Sequence, residues 1–173
     1  MLNVCTHAFS NFCHSHLGIQ IHHDAKETEC IESSSGPART HPCQADFKPT
    51  TVGPRVDHKD EFICKGGVDA GRLLNLARKG LYSTATKMGG NVLLEEKWDC
   101  EIRYPRSQCR DQFKVTVSAP FRVNEHQDRS LLQIHYSATV ARSYRPDSQK
   151  PVEIQAAKGI KGLMTVIDRH PEF

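Results

Sequence analysis

The chain has 173 residues, a mean hydropathy of −0.54 and 38% hydrophobic content, which suits one domain of ordinary size with a modest core. No apolar run is long enough for a membrane helix, and a net charge of only +3 argues against a dedicated nucleic-acid binder. Seven Cys is an odd count and excludes a fully paired intrachain disulfide framework.

Composition shifts near residue 60. Residues 1–60 hold Cys5, Cys13, Cys30 and Cys43 with His7, His14, His16, His22, His23, His41 and His58, which is 11 of the 17 Cys and His. They carry five Lys/Arg against seven Asp/Glu, whereas the rest carries 18 against 13. Ser33-Ser34-Ser35-Gly36-Pro37, His41-Pro42 and Gly53-Pro54 are turn and linker signals, and no apolar period persists between them. The reading is a disordered, Cys/His-rich segment over 1–59, followed by a small α+β domain over 60–173. Residues 1–20 lack the charge and the apolar block of a secretory signal, so the expected compartment is cytoplasmic, with reduced thiols.

Glu61 to Lys65 is an apolar run predicted as a strand, ended by Gly66-Gly67. The spacing then predicts a helix over 69–88. Asp69 is its N-cap, and Leu73, Leu76, Ala77, Leu81, Ala85 and Met88 form one apolar face. Arg72, Asn75, Arg78, Lys79 and Thr86 fall mostly on the other face. Gly71 and Gly80 should weaken this helix by about 1 kcal/mol each relative to Ala, and Gly89-Gly90 supplies its stop.

Asn91 to Arg103 alternates as a half-buried strand, with Val92, Leu94, Trp98, Cys100 and Ile102 on the apolar parity. Pro105 ends it. Residues 113–117 and 136–141 alternate in the same way and give two strand segments. Residues 152–158 suit a short helix, and 163–167 a last strand. The fold class is therefore α+β, a small antiparallel meander packed on one amphipathic helix in β-α-β-β-β order. The expected core is Leu73, Leu76, Ala77, Leu81, Ala85, Met88, Val92, Leu94, Trp98, Val115 and Val140.

Residues 118–134 interrupt the pattern. Without them the apolar set Phe113, Val115, Val117, Tyr136, Ala138 and Val140 alternates unbroken. Two readings stay open: a hairpin loop between two strands, or a foreign insert at 118–134.

For chemistry, the N-terminal thiols and imidazoles suit zinc or copper, with Cys13, His14 and His16 the first ligands to consider. No close Cys pair anchors them, so no metal site is specified. Cys64 and Cys100 read as buried hydrophobes. Cys109, between Arg106 and Arg110, is a candidate reactive thiol. Glu95, Glu96, Asp99 and Glu101 with Lys97 and Arg103 read as cross-strand charge pairing rather than acid–base machinery. His135 shares a solvated face with Ser137 and Thr139. Arg103, Arg106, Arg110, Arg142 and Arg145 suggest a basic end of the sheet without the aromatic interleaving of a single-strand binder. No catalytic motif is present, and no catalytic or cofactor-binding residue is assigned.

Leu76-Ala77-Arg78, Ala85-Thr86-Lys87-Met88-Gly89-Gly90-Asn91-Val92-Leu93-Leu94-Glu95-Glu96 and Tyr136-Ser137-Ala138-Thr139-Val140-Ala141 resemble the YbjQ-like family over about 60–143. That family is often labelled heavy-metal-binding. The resemblance implies a small α+β unit that self-associates as a homo-oligomer, and it transfers no metal ligand. The functional expectation is a binding or self-assembly module without catalytic activity. The alternatives are a zinc- or copper-binding protein or a thiol-dependent enzyme. A small-molecule ligand is unspecified.

Overall fold

The computed structural model describes residues 28–46, 48–105 and 129–172. It is an α+β fold: one antiparallel five-stranded sheet with one main helix across a single face. The elements are β1 (Thr28–Ser34), α1 (Pro42–Ala45), β2 (Thr51–Val68), α2 (Ala70–Lys87), β3 (Val92–Pro105), β4 (Arg129–Arg142) and β5 (Ile160–Glu172), with a 3-10 turn at Ile154–Ala156. The strand order is β1-β3-β4-β2-β5, so β1 and β5 are the edges.

The helix follows its sequence signals closely. Asp69 accepts a hydrogen bond from the Arg72 N–H at 3.0 Å, which satisfies one orphan donor of the first turn. The chain leaves the helix through Gly89 at φ +85°, a conformation that a side chain disfavours. Leu73, Leu74, Ala77, Leu81 and Ala85 are buried against the sheet. Each large one removes enough apolar surface from water to contribute about 1.5–3 kcal/mol. Phe62, Cys64, Trp98, Cys100, Ile102, Leu132, Ile134, Tyr136 and Val140 complete the core from the strands.

Several expectations are corrected. The boundary near residue 60 falls inside β2, and the segment assigned to disorder supplies β1, α1 and the first half of β2. Strand pairing with distant partners overrides its irregular local pattern. The expectations for residues 1–27 lie outside the described residues. The insert is not separate as drawn, because 129–134 are the start of β4. Residues 131–134 pair with both β2 and β3, and Leu132 and Ile134 are buried. The strand at 113–117, the core position Val115 and the rest of the interruption lie outside the described residues. The expected helix over 152–158 is only the 3-10 turn, and the last strand is longer than 163–167.

Two expected core positions move. Met88 is the C-cap and is 49% exposed, because the helix ends before a further turn can bury it. Leu94 is displaced by Leu93. A bulge between Leu94 and Lys97, with Glu95 at φ +48°, adds one residue to β3 and shifts its parity. Leu93 therefore faces the helix across from Val140, and Leu94 pairs with Thr139. Leu76 is only partly buried.

Candidate functional site

The bulge in β3 has a second effect: it turns Glu96 inward. Glu96 is fully buried and accepts from Arg78 Nε at 2.7 Å, from Arg78 Nη2 at 2.8 Å and from the Tyr136 hydroxyl at 2.6 Å. Arg78 also donates to Asp147 at 2.6 and 2.9 Å. Asp147 comes from the loop after β4 and accepts the backbone N–H groups of Leu93 and Gln149. One guanidinium thus holds helix, strand and loop together by charge-assisted, partly bidentate bonds. Burial alone would lower the Arg78 pKa, but the two carboxylates outweigh it and hold the pKa above its ordinary value. Burial would raise Asp147, yet Arg78 keeps it below the usual carboxylate range. Burial and the Glu96 charge push Tyr136 up, so its hydroxyl stays protonated as a donor. With every charge answered, this cluster acts as an internal clamp.

A second buried cluster lies where β2 meets β5. His58 Nε2 is 3.1 Å from Asp60 Oδ2, and Arg169 of β5 donates to both Asp60 oxygens at 2.9 and 2.7 Å. Arg169 also stacks over the Phe62 ring at 5.3 Å. Burial would raise Asp60, but His58 and Arg169 hold it low. Gly80 is explained here. A Cβ at that position would stand 2.9 Å from His58 Nε2, so the helix gives up propensity to let the imidazole approach.

Polar side chains from all five strands line a groove that Gln155, Ala156 and Lys158 also border. The register sets Glu32, Glu101, Gln133, Glu61 and His170 in one row across all five strands. Ser34, Asp99, His135, Lys59 and Glu172 form the next row. Together they line a groove of about 1460 Å³. This is the candidate functional surface.

The residues singled out from sequence divide as follows. Glu95, Asp99 and Glu101 are surface groups. Glu95 accepts from Thr139 at 3.0 Å, Lys97 meets Asp99 at 3.3 Å, and Arg103 meets Glu101 at 2.5 Å. The two ion pairs run along the strand at i, i+2 rather than across strands, and Glu96 is not a surface charge at all. Cys64 and Cys100 are buried, and burial pushes the Cys100 thiol up to about 11. His135 is on the open face, 3.5 Å from Asp57. The basic end does not assemble. Arg103 lies near Leu131 at the start of β4 and Arg142 at its far end, about 36 Å away at strand rise. Cys13, His14, His16, Arg106, Cys109 and Arg110 lie outside the described residues. Among the described residues no group of three His, Cys, Asp or Glu is placed to hold a metal ion. His41 Nδ1 does lie 3.0 Å from the exposed Cys43 Sγ.

Sequence reasoning missed Arg78, Asp147, His58 and Asp60. A signal existed for Arg78, since 70, 74, 78, 81 and 85 share the buried stripe at helical spacing. Asp147 sits in an irregular loop with no periodicity to read.

No family model, curated protein or solved structure matches this chain.

Proposed function

We propose that this chain is a binding or self-assembly module without catalytic activity, cytoplasmic in location and YbjQ-like in kind. The observation that carries the reading is a groove of about 1460 Å³, lined by two polar rows that run across all five strands and by Gln155, Ala156 and Lys158 beside them. The buried charges, by contrast, are consumed in fixing the helix and β5. A chain that answers its internal charges and leaves a broad, rigid, strand-built surface open is suited to recognition. No described helix is long and apolar enough to cross a membrane. The free thiols of Cys30, Cys43, Cys64 and Cys100 suit a reducing compartment.

Native mass spectrometry of the full chain tests this reading, because it reports oligomer, bound ligand and metal together. The expected result is a mass above the bare monomer. A bare monomer at every concentration, with nothing retained, would overturn the proposal. Bound zinc or copper lost in a Cys13→Ser/His14→Ala/His16→Ala variant would favour the metal alternative instead.

One observation supports the thiol alternative. His41 stands within hydrogen-bond reach of the Cys43 thiol, the geometry in which an imidazole takes the proton from a nucleophile. Iodoacetamide labelling followed by peptide mapping tests it. Selective modification of Cys43, slowed by His41→Ala, supports thiol chemistry; labelling equal to that of exposed Cys30 sinks it.

A further inference from the structure

Six large apolar side chains are exposed among the described residues, and Val52, Met88 and Tyr144 are three of them, at 63%, 49% and 92%. They belong to three separate segments, yet the fold brings them to one end of the sheet. Val52, near the start of β2, is the register partner of Ala141, near the end of β4. Tyr144 lies just past that strand, which ends at Arg142. Met88 caps α2, and Asn91 beyond it is tied to the same strand end. The Asn91 N–H donates to the Ala141 carbonyl at 2.9 Å and its amide to the Ser143 carbonyl at 2.7 Å. Its side-chain oxygen accepts the Ser143 N–H at 2.8 Å.

Cations collar this apolar end. Lys48 and Arg55 stand within four residues of Val52, Lys87 adjoins Met88, and Arg142 and Arg145 flank Tyr144. All five are exposed. Among the described residues Lys48, Lys87 and Arg142 take part in no ion pair. Carboxylates are fewer. Asp147 is buried and bound to Arg78, and Asp57 turns to His135. Glu95 accepts from Thr139, the register partner of Arg55, and Asp46 closes α1.

We infer that this end docks on an anionic phospholipid bilayer. Val52, Met88 and Tyr144 enter the headgroup boundary, and the five cations sit at the level of the lipid phosphates. The excess of cations sets the sign of the partner, and the surrounding structure sets its kind. A peptide strand finds no regular ladder here. The part of β2 that precedes its pairing with β5 carries Pro54, which lacks an N–H, and an irregular register between Val52 and Arg55. A single-stranded nucleic acid wants several stacking aromatics, and Tyr144 is the single exposed aromatic among the described residues. A bilayer asks for neither. It takes apolar tips ringed by Lys and Arg, and Tyr places an apolar ring and a polar hydroxyl at the interface. Such docking needs no spanning helix. None of these eight residues lines the groove, so docking leaves it free and does not depend on the proposed function.

Co-sedimentation of the full chain with vesicles tests this, comparing phosphatidylcholine alone with a mixture containing about a third phosphatidylserine. Binding about tenfold or more tighter to the mixed vesicles is expected, weakening as salt rises. Lys87→Glu/Arg142→Glu should lower that affinity by about tenfold or more. Tyr144→Ser should lower it by a smaller factor. Lys65→Glu/Arg129→Glu reverses as many charges at the opposite end of β2 and β4 and should leave it near the parent value. All these positions are exposed, and circular dichroism checks that each variant folds. The lipid and salt dependence of the unaltered chain is a test that needs no variant. Equal binding to both vesicles, or none, overturns the inference. An equal loss in the two charge-reversal pairs also overturns it, because net charge alone would then explain the attraction. Undiminished binding of Tyr144→Ser sinks docking through the apolar tips. Capture of labelled oligouridylate or polyglutamate in place of the mixed vesicles, lost in Lys87→Glu/Arg142→Glu, would assign this end to nucleic acid or acidic protein and overturn the lipid reading.

Discussion

On the helix side of the sheet, Arg78, Glu96, Asp147 and Tyr136 are buried, and every bond among them is 2.9 Å or shorter. On the open side, Lys97, Asp99, Glu101 and Arg103 form ion pairs between side chains that are a third to a half exposed. The residue types are the same and the consequences are opposite. A buried ion pair whose lone pairs are all satisfied holds geometry, because breaking it strands a charge without water. A surface pair contributes little, because water and salt already screen it. The sequence Glu95-Glu96-Lys97 contains both kinds side by side, and the bulge at Glu95 decides which residue faces which way.

The comparison can be broken most sharply through the core itself. Leu81→Asp places an unpaired carboxylate in the centre of the helix–sheet contact and abolishes folding; a cooperative thermal transition in that variant would show the face is wrongly assigned. Leu76→Asp, at a partly buried position, is milder. Arg78→Met comes next. It leaves Glu96 and Asp147 buried without their cation and costs about 3–5 kcal/mol in urea denaturation. A loss below about 1 kcal/mol would place the clamp with the surface pairs.

Gly80→Ala tests the second cluster by its sign. In an ordinary helix the change stabilises by about 1 kcal/mol. Here the added methyl meets His58, so overpacking should reverse the sign and destabilise by about 1–3 kcal/mol. His58→Ala in the same background should restore the ordinary gain.

The pH dependence follows from two carboxylates. Asp60 and Asp147 both titrate below the ordinary aspartate range when folded. A depressed folded pKa means the unfolded chain binds protons first as pH falls. The stabilisation is therefore complete above the unfolded value and is lost as pH drops from about 5 through the folded values. Asp147→Asn should flatten the acid limb of a stability–pH curve, at the cost of lower stability at neutral pH.

The smallest effect is expected on the open face. Lys97→Ala changes stability by less than about 1 kcal/mol, read by the same urea titration. Glu32→Gln should stabilise slightly, because Glu32 lies directly opposite Glu101 in the register.

Much of the fold was legible where one local rule acted alone. Asp69, the 3.6-residue stripe from Leu73 to Ala85 and Gly89 fixed helix α2 to within a residue. Alternation fixed β3 after Trp98; the strand expected at 136–141 lies within β4, although Ser137 and Ala141, expected on its solvated side, are buried. Legibility failed where long-range pairing outweighed local pattern. β1 and the first half of β2 have turn-rich sequences and become strands because neighbours accept their backbone groups. For this reason the expected boundary near residue 60 falls inside β2, and the segment 118–134 overlaps the start of β4.

The candidate site was less legible than the fold. Sequence listed the open-face carboxylates and His135 but could not align them, since the rows from Glu32 to His170 exist only once the register of five strands is set. It also could not tell Glu96 from Glu95.

The amino-acid order by itself determined an α+β chain with one amphipathic helix and half-buried strands, because side-chain period is a property of neighbouring residues. The tertiary structure alone decided which charges are internal, which edge is open and apolar, and which polar residues share a groove. Those depend on strand order, on one extra residue in a bulge, and on contacts as distant as Arg169 with Asp60, where backbone pairing across the whole chain outweighs local preference.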